Sequence, residues 1–240
     1  TRLLTVAVVF PLFLWALFGL PTSYWSALIL AFMVIAAHEW ARLFDVPQIG
    51  AILFALMMAV VALVLCIGGE YLIPSQGVTQ LLCIVAAVFW IVAVPYILKN
   101  RVRITAVPVA LLFGLVALIP LWAALVKLQS FGPLYVFFAM GIIWLADTAA
   151  YFSGRAFGKR KLAADISPGK TLEGAYGAVT IAVLYSAIFV SLGQYFGTMS
   201  LSGLPMTMAG FVLIVILSME GELFESWLKR QRGKKDSGSL

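Results

Sequence analysis

The chain has 240 residues, of which 63% are hydrophobic and only 11% are charged, and its formal net charge is +6. Soluble proteins carry about 25% charged residues, so this composition excludes an ordinary soluble domain and indicates an integral membrane protein. The basic residues lie in loops beside apolar segments, which favours a membrane location over a nucleic-acid partner. We therefore expect membrane lipids, and no nucleic acid, around this protein.

Apolar segments bounded by charges, Pro and Gly predict a polytopic, all-α bundle of about eight membrane-spanning helices. The predicted spans cover residues 3–20, 23–38, 50–67, 77–98, 104–126, 133–153, 174–193 and 204–224. These spans use the whole chain, so we expect a single transmembrane domain over residues 1–240.

The distribution of Lys and Arg predicts the topology of this bundle. Apart from Lys127, every Lys and Arg falls in a loop or terminus on the N-terminal side of the bundle. Because loops that face the cytoplasm retain Lys and Arg, we expect a multi-pass protein of the cell (inner) membrane with both termini in the cytoplasm.

The first candidate site lies at the end of the sixth predicted span. Asp147 follows an unbroken apolar run and precedes a loop that contains Arg155, Lys159 and Lys170. A carboxylate at membrane depth is costly unless it is paired or hydrated. Tyr151 and Arg155 follow Asp147 at intervals of four, so the three side chains are predicted to share one helix face. An ion pair between Asp147 and Arg155 is the structural alternative to a site.

The second candidate site ends the last predicted span. A polar stripe runs along an otherwise apolar helix and consists of Ser218, Glu222, Glu225, Ser226 and Lys229. Carboxylates that bind a hard cation such as Mg²⁺, with Lys and Arg around them, are what phosphoryl and nucleotidyl transfer require. We predict that both junctions meet at the cytoplasmic surface, with Asp147 and Glu222 as the metal ligands.

The segment Ile166–Gly174 resembles the end of a Walker phosphate loop at Gly169, Lys170 and Thr171. The match fails because Ala164 stands where the first glycine belongs, and because no strand is expected before the loop. A flexible Pro-Gly turn can still place backbone N–H groups, the Lys170 ammonium and the Thr171 hydroxyl around a phosphate.

Taken together, the residues from Asp147 to Glu173, with the segment ISPGKTLEG, and the residues from Ser226 to Gly238 resemble the phosphatidate cytidylyltransferase (CDP-diacylglycerol synthase) family. The resemblance implies transfer of CMP from CTP to phosphatidic acid, with Mg²⁺ and K⁺ assisting. It implies catalytic roles for Asp147, Glu222 and Lys229. It also implies substrate binding by a larger set: Arg155, Lys159, Ser167, Lys170, Thr171, Glu173, Ser226, Arg230, Lys235, Asp236 and Ser237.

This sequence differs from the family pattern in two respects. Glu222 stands where the family has Asp, which keeps the charge and adds one methylene. Family members also continue beyond the position of Leu240 into segments that supply a further metal-binding acid, so we expect an incomplete chain whose metal site lacks that ligand.

Two other functions remain open at this stage. A CTP-dependent lipid kinase of the dolichol kinase type shares cationic cytoplasmic loops. A secondary transporter would use Asp147 as an ion site within the membrane. The sequence also leaves open a homodimer.

Overall fold

A computed structural model describes residues 2–69, 72–195, 197 and 200–233, with side chains described from residue 7 onwards. Among these residues, seven helices are long and apolar enough to cross a membrane, and Ala7–Gly19 is a shorter apolar helix. The chain is therefore a multi-pass membrane protein built from helices, as the composition predicts.

The helices follow the predicted spans closely. They are α1 (Arg2–Gly19), α2 (Thr22–Leu43), α3 (Gln48–Leu65), α4 (Gln76–Val88), α5 (Val94–Asn100), α6 (Val107–Phe131), α7 (Pro133–Phe157), α8 (Leu172–Tyr195) and α9 (Leu204–Gln231). A π-helical turn, Phe89–Ala93, joins α4 to α5, and a 3₁₀ turn, Leu201–Gly203, precedes α9. Several helices continue past the apolar run: α9 ends at Gln231 rather than at residue 224, because its last turns are amphipathic rather than uniformly apolar.

The loop after α7 contains two strands that the sequence did not predict. Strands β1 (Lys161–Ala163) and β2 (Ser167–Thr171) pair as an antiparallel hairpin. The expectation that no strand precedes Lys170 was therefore wrong, and Pro168 and Gly169 lie within β2 instead of forming a flexible turn. The turn is residues 164–166, directly after β1. Strands this short, one of them containing Pro and Gly, carry no alternating pattern by which a sequence could identify them.

The chain divides into two compact units by its contacts. The first contains residues 1–92, 103–137 and 232–240. Within it, α2 packs against α3 and α6, and Trp25 and Trp122 are fully buried. Buried polar groups there are satisfied: the Trp122 indole N–H donates to the Ser26 carbonyl at 3.2 Å, and Gln129 Nε2 donates to the Leu20 carbonyl at 3.1 Å.

The second unit contains residues 93–102 and 138–231, and both candidate junctions belong to it. Its core joins α7, α8 and α9. The buried members of this core are Ile142, Ala146, Ala178, Ala182, Phe211 and Val215. Gly174 and Gly177 let α8 approach α7 closely at Ala150 and Ser153. Small residues at the contact are the usual way in which membrane helices associate. The polar residues of the site lie at one end of this core.

Candidate functional site

A cavity of about 350 Å³ lies among α7, the hairpin, α8 and α9. Its charged lining residues are Asp147, Arg155, Lys170 and Glu222. Its wall is formed by small and apolar residues such as Ala150, Ala178 and Val215. The two junctions identified from the sequence therefore contribute to one cavity, although Asp147 and Glu222 are far apart along the chain.

Helix α7 contributes three polar side chains at intervals of one helical turn. Asp147, Tyr151 and Arg155 all line the cavity, so the prediction that they share a helix face is confirmed. Arg155 Nη1 donates a hydrogen bond to the Tyr151 hydroxyl oxygen at 3.0 Å. This contact holds the guanidinium beside the cavity, where it can bind an anion.

The hairpin contributes Lys170, whose ammonium donates to Glu222 Oε2 and forms an ion pair with it. The Lys170 side chain is only 24% exposed, so its charge is partly removed from water. Burial lowers the pKa of Lys170, and the nearby Asp147 and Glu225 carboxylates oppose that shift. An ammonium held among carboxylates in a partly dry cavity is well placed to bind phosphate oxygens.

Helix α9 contributes Ser218 and Glu222, one turn apart. Among the described residues, the cavity lining does not include Ser226 or Lys229. Lys229 Nζ instead pairs with Glu225 Oε1 at 2.9 Å. Lys229 lies two turns beyond Glu222, about 10 Å further along the helix axis, which explains why it does not line the same cavity. The catalytic role of Lys229 stays a prediction.

Several residues assigned to substrate binding make contacts inside the protein. The Glu173 carboxylate accepts hydrogen bonds from the backbone N–H groups of Lys159 and Arg160 at 3.1 and 3.2 Å, and from Arg160 Nε at 3.2 Å. Thr171 Oγ1 accepts from the Gly174 N–H at 3.1 Å and so caps the start of α8. Glu173 and Thr171 therefore order the segment that carries Lys170. Thr171 also lines the cavity, and substrate binding by either residue stays a prediction.

Two more of the predicted residues, Ser167 and Arg230, lie beside this segment. Ser167 begins β2 opposite Ala163, and Arg230 Nε donates to the Ile166 carbonyl at the adjacent turn. Arg230 thus supports the hairpin from α9. Lys235, Asp236 and Ser237 lie outside the described residues, so their predicted roles stay predictions.

The sequence analysis did not identify the glycines that shape the cavity. Gly154 and Gly174 line it, and a Cβ atom at Gly174 would meet the Ala150 carbonyl oxygen at 2.8 Å. The signal was present as Gly174, Ala178 and Ala182 at intervals of four on α8, a spacing of small residues that marks close helix packing in membranes. The pairing of Arg101 with Asp165 was also missed, because no pattern in a sequence connects two residues so far apart.

The donors in the cavity are compatible with a magnesium ion. Asp147 and Glu222 supply carboxylate oxygens, which are hard ligands of the kind that Mg²⁺ prefers. No group of three or more His, Cys, Asp or Glu residues that could hold a metal occurs in the part of the chain that the structure describes. Two carboxylates suffice for Mg²⁺ when substrate phosphates and water complete its shell, as is common for this ion.

Comparison with known proteins identifies the family of this chain. The model of the cytidylyltransferase family matches residues 1–240. The chain is similar to a phosphatidate cytidylyltransferase of Pseudomonas aeruginosa, with 37% identity over 252 residues that cover 100% of this chain and 86% of that protein. It is also similar to a phosphatidate cytidylyltransferase of Haemophilus influenzae, with 33% identity over 264 residues that cover 100% of this chain and 88% of the relative. The chain belongs to the cytidylyltransferase family.

Proposed function

We propose that this protein transfers CMP from CTP to phosphatidic acid, giving CDP-diacylglycerol and pyrophosphate. The observation that carries the proposal is the single cavity lined by Asp147, Arg155, Lys170 and Glu222 at the end of a membrane helix core. It provides both the cations that bind phosphate groups and the acids that bind a hard metal. The full-length similarity to two phosphatidate cytidylyltransferases supports the same reaction.

The reaction is a substitution at the α-phosphorus of CTP. An oxygen of the phosphatidate phosphate forms a bond to the α-phosphorus. The bond between the α-phosphorus and the oxygen that bridges it to the β-phosphate breaks, and pyrophosphate leaves with the electron pair. The attacking phosphate is already ionised at neutral pH, so the protein does not have to supply a strong general base. Catalysis then consists mainly of positioning and charge stabilisation.

Arg155 and Lys170 are assigned to the phosphate groups of the substrates. Their side chains reach the cavity from two different elements, α7 and β2, so they can hold two phosphate groups of one nucleotide or one from each substrate. Arg155 can bind two oxygens of one phosphate through its planar guanidinium, whereas Lys170 acts as a point charge. On phosphate binding, Lys170 exchanges its contact with Glu222 for one with the substrate.

Asp147 and Glu222 are assigned to Mg²⁺. When bound there, Mg²⁺ would supply positive charge beside the phosphate oxygens, and the two carboxylates would hold it in place. A requirement for K⁺, substrate binding by Lys159 and Ser226, and the catalytic role of Lys229 stay predictions. A homodimer is also left as a prediction.

We further propose that the cavity opens to the cytoplasm, where CTP is available. The basic residues that accompany it, from Arg155 to Lys161, are of the kind retained on that side of a membrane. The lipid substrate already lies in the bilayer, so the reaction requires only that its headgroup reach this end of the core.

Product analysis tests the reaction. Purified protein in lipid nanodiscs is supplied with phosphatidic acid, Mg²⁺ and CTP labelled at the α-phosphorus. The proposal predicts label in a chloroform-soluble CDP-lipid and one pyrophosphate for each lipid formed. A CTP-dependent lipid kinase would leave labelled CDP in the aqueous phase. That result, or no consumption of CTP, would refute the proposal.

A further inference from the structure

Lys170 is presented by an element that has little stability of its own. The hairpin has strands of only three and five residues, and an isolated two-stranded hairpin is marginally stable at best. The position of Lys170 in the cavity must therefore depend on contacts that tie the hairpin to the helices. Those contacts occur at both of its ends.

The base of the hairpin is joined to α8. The Leu172 N–H donates to the Arg160 carbonyl at 2.9 Å, and Glu173 binds the N–H groups of Lys159 and Arg160. These contacts fix the position of the hairpin base at the start of α8. They do not fix the direction of its tip.

The tip is held by two arginines from other elements. Arg101, directly after α5, forms an ion pair with Asp165 in the turn of the hairpin. Arg230 Nε, from α9, donates to the carbonyl of the next residue, Ile166, whose side chain is buried. The turn is thus bound through the Asp165 side chain and through the Ile166 backbone carbonyl.

The backbone of Arg101 is a second, independent observation. Its dihedral angles, φ 53° and ψ 38°, place it in the left-handed region at the C-terminal cap of α5. Glycine adopts this conformation without steric cost, whereas a residue with a side chain is disfavoured there. Arginine at a position that suits glycine indicates that its side chain makes a contact that offsets the steric cost, and the ion pair with Asp165 is such a contact.

The segment that carries Arg101 is itself fixed. The Trp227 indole N–H donates to the Val102 carbonyl at 3.0 Å, and α5 packs against α9. Helix α9 also presents Glu222, the partner of Lys170. Arg101 thus links the hairpin tip to the helix that carries the opposing side of the cavity.

We propose that Arg101 and Asp165 are positioning residues, which hold the tip of the hairpin so that Lys170 stays in the cavity beside Glu222. Neither residue lines the cavity, so neither touches substrate in this account. Both side chains are well exposed, at 63% and 66%, so the pair has only a small effect on global stability. Its effect is local: the pair keeps the hairpin ordered.

Hydrogen exchange measured by mass spectrometry tests the contact directly. In nanodiscs, Arg101→Ala and Asp165→Ala are each expected to speed exchange of the amides in residues 161–171 about threefold to tenfold. Exchange in α8 is expected to stay unchanged, which reports that the variants are folded. The control is Lys99→Ala, an exposed cation of α5 for which the described residues provide no ion-pair partner.

A double variant with the two charges swapped, Arg101→Asp with Asp165→Arg, tests whether the ion pair can be restored. Asp is tolerated in the left-handed region, so the new pair can form with the charges reversed. Exchange in residues 161–171 is expected to return to within about twofold of the wild-type rate. Unchanged exchange in both single variants, equal acceleration in Lys99→Ala, or no recovery in the double variant would overturn the inference.

A kinetic measurement links the pair to the site and rests on the proposed function. Each single variant is expected to raise the KM for CTP about fivefold with kcat changed less, and the double variant is expected to reverse this. Loss of folded protein would lower kcat alone. If wild-type protein makes no CDP-diacylglycerol, the proposed function fails, and the exchange measurement still decides the role of Arg101 and Asp165.

Discussion

The roles of some site residues could be predicted from the sequence alone, and those of others could not. The spacing of Asp147, Tyr151 and Arg155 predicts a shared face, and all three line the cavity. Thr171 and Glu173 belong to the same segment as Lys170, yet their side chains cap and tie the backbone. Sequence patterns predict which residue types a site requires, but they do not separate a ligand-binding group from one that orders the chain beside it.

Lys170 is predicted to be required for catalysis. Lys170→Met removes the ammonium that contacts Glu222 and is assigned to phosphate, so the rate of CDP-diacylglycerol formation should fall about a hundredfold. The matched control is Lys161→Met, which removes an exposed cation from the other strand of the hairpin. Steady-state turnover in nanodiscs is the measurement. Equal rates for the two variants would remove Lys170 from the phosphate site.

Thr171 is predicted to act through helix capping. Thr171→Val keeps the shape of the side chain but loses the hydrogen bond to the Gly174 N–H, which should lower the free energy of unfolding by about 1 kcal/mol. Thr171→Ser keeps the hydroxyl and serves as the control. Thermal unfolding of the purified protein, followed by tryptophan fluorescence, compares the two. If both variants unfold at the wild-type temperature, the cap has no energetic role.

At the scale of elements, the spans could be predicted and the hairpin could not. Long apolar runs specify membrane helices because the bilayer core offers no hydrogen-bond partners to an open backbone. The hairpin owes its form to tertiary contacts instead, with Glu173 at its base and Arg230 at its tip. Short strands stabilised in this way leave little local signal.

The approach of α7 to α8 gives a prediction at this scale. Gly174→Ala places a methyl group against the Ala150 carbonyl, so the helices must separate at the cavity wall, at a cost of about 1–3 kcal/mol. We expect a lower unfolding temperature and reduced turnover. Gly210→Ala in α9 is the control, because its added Cβ meets no atom within 4 Å. Similar behaviour of both variants would contradict the role of close packing.

For the whole molecule, the asymmetry of charge predicts the orientation in the membrane. Apart from Lys127, the Lys and Arg residues are predicted to face the cytoplasm together with both termini. The approximate number of spans could be derived from hydropathy alone. The convergence of α7, β2 and α9 on one cavity could be proposed from paired charges, but its geometry depends on packing among small residues that the sequence analysis did not weigh.

Cysteine labelling tests this orientation. On a background without Cys66 and Cys83, Lys161→Cys in the hairpin should be protected from a membrane-impermeant maleimide in intact cells and become reactive after lysis. Ser130→Cys, exposed at the end of α6, should react in intact cells. The reverse pattern would place the cavity on the other side of the membrane and would refute the proposed access for CTP.

The central claim is that the cavity shared by α7, β2 and α9 is where CMP is transferred. Two glutamates of α9, separated by one residue, allow a direct test, because Glu222 lines the cavity and Glu220 does not. The measurement is the rate of CDP-diacylglycerol formation by Glu222→Gln and Glu220→Gln at saturating CTP and Mg²⁺. We expect at least about a tenfold loss for Glu222→Gln and less than about a threefold change for Glu220→Gln. Wild-type turnover in Glu222→Gln, or equal losses in both variants, would contradict it.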